Sequence, residues 1–284
     1  MSDLAAAPRF TWRAPALLRV GIVTSLIFLL LGFVSIVWTP YPVGAADVAS
    51  AMQDPSGAHW LGTDQLGRDV LSLVMKGTLT SFVVSAVAVA IGALVGIPLG
   101  LAAAAWGSAA NTAIHGVSVY LAALPTLIVA ILLAALAGPS AATVMIAVGV
   151  GNIAAFALTT RDAMRTADSY GYVEAARLAG SGGLDLIRRH TLPSIVRAIL
   201  AQVVGALAIG VLAEATLSYI GIGAQSPATS LGLMLHDAQS YALMKPALML
   251  MPGLAILLIV LALKITSRGI QATLEPNGAT DGAT

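Results

Sequence analysis

Apolar residues run through this chain in long stretches, and polar residues collect in three places between them, around 38–79, 161–194 and 222–246. A bilayer-crossing helix needs about 20 mostly apolar residues. Six stretches qualify, 17–37, 80–105, 113–136, 141–160, 195–220 and 247–266, and the pattern predicts an all-α integral membrane protein with six transmembrane helices. Only a turn at Gly138-Pro139 separates the third and fourth stretches, so these form an antiparallel hairpin. The polar stretches cannot lie in hydrocarbon, where each unpaired backbone group costs several kcal/mol, and read as loops in water. The first apolar run exceeds the roughly 7–15 residues of a signal-peptide core and reads as a retained span.

Composition narrows the class. The chain is 58% hydrophobic and 10% charged with a mean hydropathy of +0.92, whereas soluble domains carry about 25% charge. The absence of cysteine removes disulfides, thiolate metal sites and a cysteine nucleophile, and four scattered histidines give no metal centre. No catalytic and no metal-binding residue is assigned.

The net charge is only +1, but its distribution sets an orientation. With a cytoplasmic amino terminus, Arg9, Arg13, Arg19, Arg161, Arg165, Arg177, Arg188, Arg189, Arg197, Lys264 and Arg268 lie inside, leaving Arg68, Lys76 and Lys245 outside. Cytoplasmic loops are the ones enriched in Lys and Arg, so both termini are expected in the cytoplasm. Trp38, Tyr41, Trp60 and Trp106 fall near span ends, where amphipathic rings sit at the interface. The expected organisation is a cytoplasmic segment 1–16, a transmembrane domain 17–268 and a cytoplasmic tail 269–284. External loops lie at 38–79 and 222–246, with a cytoplasmic loop at 161–194.

Within that cytoplasmic loop, residues 172–179 are good helix formers, Gly180 tolerates the positive φ that ends a helix, and Ser181 can cap a second short helix. In that second helix Leu184 and Ile187 share a face, and Asp185 can pair with Arg188 or Arg189. Pro193 suits the first turn of span five. An ordinary amphipathic connection satisfies the same pattern. Glu174-Ala175-Ala176, Gly180 four residues after Ala176, and His190-Thr191-Leu192-Pro193 resemble the EAA signature of permease subunits in bacterial ATP-binding-cassette importers. The external stretch from His59 to Ser72, together with Leu217-Ser-Tyr-Ile-Gly-Ile-Gly223 and Leu231-Gly-Leu-Met234, resembles the C-type permease of dipeptide, oligopeptide and nickel importers. Two places depart from that family: 111–120 has only His115 as an ionisable group, and the carboxyl end is reduced at 266–271.

The resemblance implies a type I importer permease fold in the bacterial cytoplasmic membrane. It also implies a homologous B-type permease, two cytoplasmic ATPase subunits, an extracytoplasmic solute-binding protein and the lipid bilayer as partners, with no nucleic acid. ATP and Mg2+ belong to the partner ATPases, and this chain binds no cofactor. Glu174, Ala175, Ala176, Gly180, Leu184, Arg188, His190 and Pro193 are the expected ATPase-coupling residues. Gly62, Asp64, Gly67, Arg68 and Asp69 are the candidate contact with the binding protein. Peptides are the first choice of cargo; nickel or a nickel chelate is second, with glutathione-like solutes behind.

Several signals carry competing readings. Gly62 to Asp69 has P-loop glycine spacing but offers Arg and Asp where a P-loop needs Lys and Ser or Thr, so external turn structure or a protein contact is expected there. Gly92, Gly96 and Gly100 place three bare positions on one face of span two, for close helix packing, and Pro98 can kink that span. Glu214 is the one carboxylate well inside a span, and it either makes a structural hydrogen bond or lines the pathway. Arg161 and Arg165 anchor the inner end of span four or touch the ATPase. An ion-coupled secondary transporter is the alternative class, although repeats and multiple intramembrane acids are lacking. A membrane enzyme has no nucleophile and base to share a site.

Overall fold

A computed structural model describes residues 14–105, 107–168 and 192–272. These form eight α-helices and no strand, only an isolated bridge between Thr63 and Asp69. They are α1 (Ala14–Val37), α2 (Val70–Ala105), α3 (Gly107–Ala123), α4 (Thr126–Ala137), α5 (Ala141–Asp168), α6 (Leu192–Tyr219), α7 (Leu231–Ala238) and α8 (Ala247–Ala272). Five helices, α1, α2, α5, α6 and α8, are long and apolar enough to cross a membrane, and α3 with α4 makes a sixth span if the bent pair is counted as one.

The expected continuous third span is the main correction. It is broken between Ala123 and Thr126, and its halves meet at a bend of 77°. Pro125 has no N–H to give and disfavours the helical region at Leu124, and the apolar run 113–136 breaks at this point. Pro98 in α2 and Pro252 in α8 leave their helices unbroken. Other boundaries shift outward. Helix α2 starts at Val70, so the stretch from Val70 to Leu79, expected in a loop, belongs to a helix, and the segment before it is 38–69. Helix α5 runs on to Asp168 and α8 to Ala272, past the bilayer limits counted from apolar length. The interval 222–246 is not a simple loop, since it contains α7.

Helix α2 is the axis of the bundle. It packs against α5, α6 and α1, while α8 packs against α6 and α1. In lipid, helix association is driven by close contact and interhelical hydrogen bonds, which favours small residues. The glycine stripe of α2 meets α5: a Cβ on Gly92 would overlap Asn152, one on Gly96 would lie 2.5 Å from the Ile153 carbonyl, and one on Gly100 2.5 Å from that of Ala157. Buried serines stitch the other seams. Ser85 donates from α2 to the Leu207 carbonyl of α6 at 2.8 Å, and Ser267 from α8 to the Ala201 carbonyl at 2.7 Å. The largest apolar cluster joins Val70, Leu73 and Phe82 of α2, Val211 of α6, Leu231 of α7, and Ile256 and Ile259 of α8. By contrast α1 turns Val20, Val23, Leu26 and Leu30 outward, as a lipid-facing helix does.

Candidate functional site

Residues 38–69 are a folded unit organised by two aspartates. Asp64 accepts the backbone N–H groups of Leu66 (2.9 Å) and Arg68 (2.8 Å) on Oδ1, and Arg68 Nε (2.6 Å) on Oδ2. Asp69 caps α2, accepting the Ser72 N–H (2.8 Å) and hydroxyl (2.7 Å) on Oδ2, while Oδ1 lies 3.0 Å from His59 Nδ1. A side-chain oxygen at a helix start satisfies donors that have no intrahelical partner. Gly62 (φ +77°) and Gly67 (φ +75°) take the left-handed turns between them. A Cβ on Gly62 would sit 2.5 Å from the Gln53 carbonyl, and one on Gly67 would overlap that of Asp47. The N–H groups that a phosphate-binding loop would present at Leu66 and Arg68 are already taken by a carboxylate, which explains the P-loop-like spacing without a nucleotide.

The segment is tied to distant parts of the chain. Arg68 Nη2 reaches Asp237 of α7 at 3.6 Å, and Lys245 Nζ pairs with Asp54 at 2.6 Å. Burial pushes the Asp237 carboxyl above the usual carboxylate range, against the opposing pull of Arg68 and His236. His236 Nδ1–H donates to the Tyr219 carbonyl at the end of α6 (2.7 Å), so α7 is held on two sides. Sequence reading missed Asp237 and His236. The hint was a lone arginine among the carboxylates of residues 38–69.

Glu214 is 1% exposed. Ser81 of α2 donates to Oε2 and Ser218 of α6 to Oε1, each at 2.6 Å. Both serines are completely buried, and among the described residues no cation pairs with this acid. The partners were missed because serine in an apolar run scores as neutral.

At the other end of the bundle, Arg161 is buried rather than spread on a headgroup layer. Its Nε donates to Asn111 Oδ1 of α3 (2.6 Å) and Nη1 to Asp162 Oδ1 (2.8 Å), while Arg165 is exposed. Pro193 lies in the first turn of α6. Glu174, Ala175, Ala176, Gly180, Leu184, Arg188 and His190 lie outside the described residues.

Comparison with known proteins places this bundle. Residues 96–277 match the family described as "Binding-protein-dependent transport system inner membrane component". The chain belongs to this family. The permease is 33% identical over 270 residues to the glutathione transport system permease protein GsiD of Pectobacterium atrosepticum, covering 93% of this chain and 89% of that protein. It is 31% identical to the probable D,D-dipeptide transport system permease protein DdpC of Escherichia coli K12, covering 89% and 87%. With the dipeptide transport system permease protein DppC of Haemophilus influenzae it shares 32% over 77% of this chain and 74% of that one.

Among solved structures, an inward-facing MetNI methionine ABC transporter chain superposes on the permease with a TM-score of 0.61 at 15% identity. The match covers 72% of this chain and 97% of that one. A second MetNI crystal form gives 0.59 at 16%. The fold is that of a type I ABC importer permease, and the permease is a multi-pass protein of the bacterial inner membrane that works with ATPase subunits. Family membership sets aside the ion-coupled secondary transporter.

Proposed function

We propose that this permease forms one membrane half of an ATP-driven importer of peptides or peptide-like solutes, glutathione included. The observation that carries the cargo is the likeness, over about nine-tenths of the chain, to permeases named for glutathione and D,D-dipeptide. Its partners are a homologous B-type permease, two cytoplasmic ATPase subunits that hold ATP and Mg2+, and an extracytoplasmic solute-binding protein. The chain itself binds no cofactor and performs no covalent chemistry. Six crossings with the basic residues on one side put both termini in the cytoplasm.

In this reading the ATPases close on ATP and push the loop around Gly180. Glu174 orients that loop, Ala175 and Ala176 permit close approach, Gly180 makes the turn, and Leu184, Arg188 and His190 complete the contact. The displacement enters α6 directly, because Pro193 stands in its first turn. At the far end Gly62, Asp64, Gly67, Arg68 and Asp69 build the rigid external segment on which a binding protein docks.

Reconstitution of the purified complex in liposomes tests the proposal. Labelled glutathione or dipeptide should accumulate only with ATP and binding protein together. Uptake that ignores ATP, or the absence of uptake for every peptide-like solute tried, would remove it.

A further inference from the structure

Among the described residues Glu214 belongs to no ion pair, and its burial within a single chain can only be kept or deepened when a second permease is added. A side chain this buried offers cargo no surface in this structure. Its two hydrogen bonds differ in kind. The bond from Ser218 stays within α6, one turn away, whereas the bond from Ser81 crosses from α6 to α2.

Ser218 is also the floor on which the external end is built. A Cβ on Gly223 would overlap the Ser218 hydroxyl, and one on Gly232 of α7 would overlap the Ala215 carbonyl and lie 2.8 Å from Ser218 Cβ. On the facing helix, a Cβ on Gly77 of α2 would come within 3.0 Å of the Leu231 backbone nitrogen. Helix α7 is therefore seated backbone-to-backbone on α6 and α2 directly around the Glu214 bonds.

We infer that Glu214 is a positioning residue for transport: with Ser81 and Ser218 it locks α2, α6 and α7 into one body, so that movement delivered to the start of α6 arrives at the external end undiminished. The inference rests on the importer reading of the permease. Sliding α6 along α2 would break the Ser81 bond and strand one oxygen of a buried carboxyl group, and an unsatisfied buried polar atom costs well above thermal energy. A seam of this kind transmits displacement instead of absorbing it.

The test uses the complete reconstituted importer and reads solute taken up per ATP hydrolysed. Glutamine keeps one acceptor and gains a donor, and a serine hydroxyl serves as either, so Glu214→Gln retains both bonds. Leaving a buried polar atom unsatisfied is equivalent to about tenfold in an equilibrium. Glu214→Leu should accordingly lower uptake per ATP by about tenfold and Ser81→Ala by several-fold, while Glu214→Gln stays within about twofold of wild type. Equal damage from Gln and Leu would overturn the inference, because charge and not bonding would then matter. Unchanged coupling in Ser81→Ala would overturn it as well, and that variant decides the matter if Glu214→Leu does not assemble. A wild-type complex without ATP-driven uptake would count against the importer reading alone.

Discussion

Asp237 shows how a single carboxyl reports its surroundings. Burial raises its folded pKa, so the native state favours the protonated form. Its contribution to stability is then greatest in acid and is lost as pH rises through the folded value. Asp237→Asn should hold or raise the melting temperature of the solubilised protein at neutral pH and flatten the loss of stability seen on going from about pH 4 upward. A drop at neutral pH would mean that the Arg68 pairing outweighs the burial. Gly67 behaves oppositely, being tolerant of no replacement. Its left-handed φ alone costs a substituted residue about 1–2 kcal/mol, and the Asp47 carbonyl occupies the space a Cβ needs. Gly67→Ala should lower the melting temperature and open residues 38–69 to limited proteolysis.

Helices differ in how plainly they could be read. Helices α1, α2, α5, α6 and α8 were legible as apolar runs because length and composition alone decide whether a segment spans. The break between α3 and α4 was not, since Pro125 sits in a run whose hydropathy hides it. Replacing it with Ala restores the missing N–H, and spin labels at Val117 and Leu132, both exposed, should then separate toward the roughly 22 Å of a straight helix. Helix α7 escaped notice because eight residues are too few to give a periodic signal, and its seat depends on Gly77 meeting Leu231 across more than a hundred positions. The glycine stripe of α2 was legible as a packing face, but nothing in its spacing says that α5 is the partner. Gly96→Leu should force those two helices apart and abolish recovery of folded protein, whereas Gly116→Leu, with open space around it, should be tolerated. The coupling residues expected from Glu174 to His190 lie outside the described residues, and they rest on their motif alone.

In the whole molecule, the two ends are fastened by different contacts. Arg161 ties α3 to α5 at one end of the bundle, and the Glu214 seam ties α2 to α6 toward the other. If the loop around Gly180 is the point of entry for force, Gly180→Leu and Glu174→Arg should abolish the stimulation of ATP hydrolysis by loaded binding protein in the intact complex. Wild-type stimulation in both would sink the assignment. The contacts that complete the external segment also impose an order on biosynthesis. Asp54 finds Lys245 191 positions later in the chain, and Arg68 finds Asp237 almost as late. Residues 38–69 follow the first helix but have nothing to dock on until α7 and the residues leading into α8 have been made. Until then Asp54 and Arg68 lack Lys245 and Asp237, so a chain cut short before α7 leaves residues 38–69 without the two contacts that tie them to the rest of the bundle.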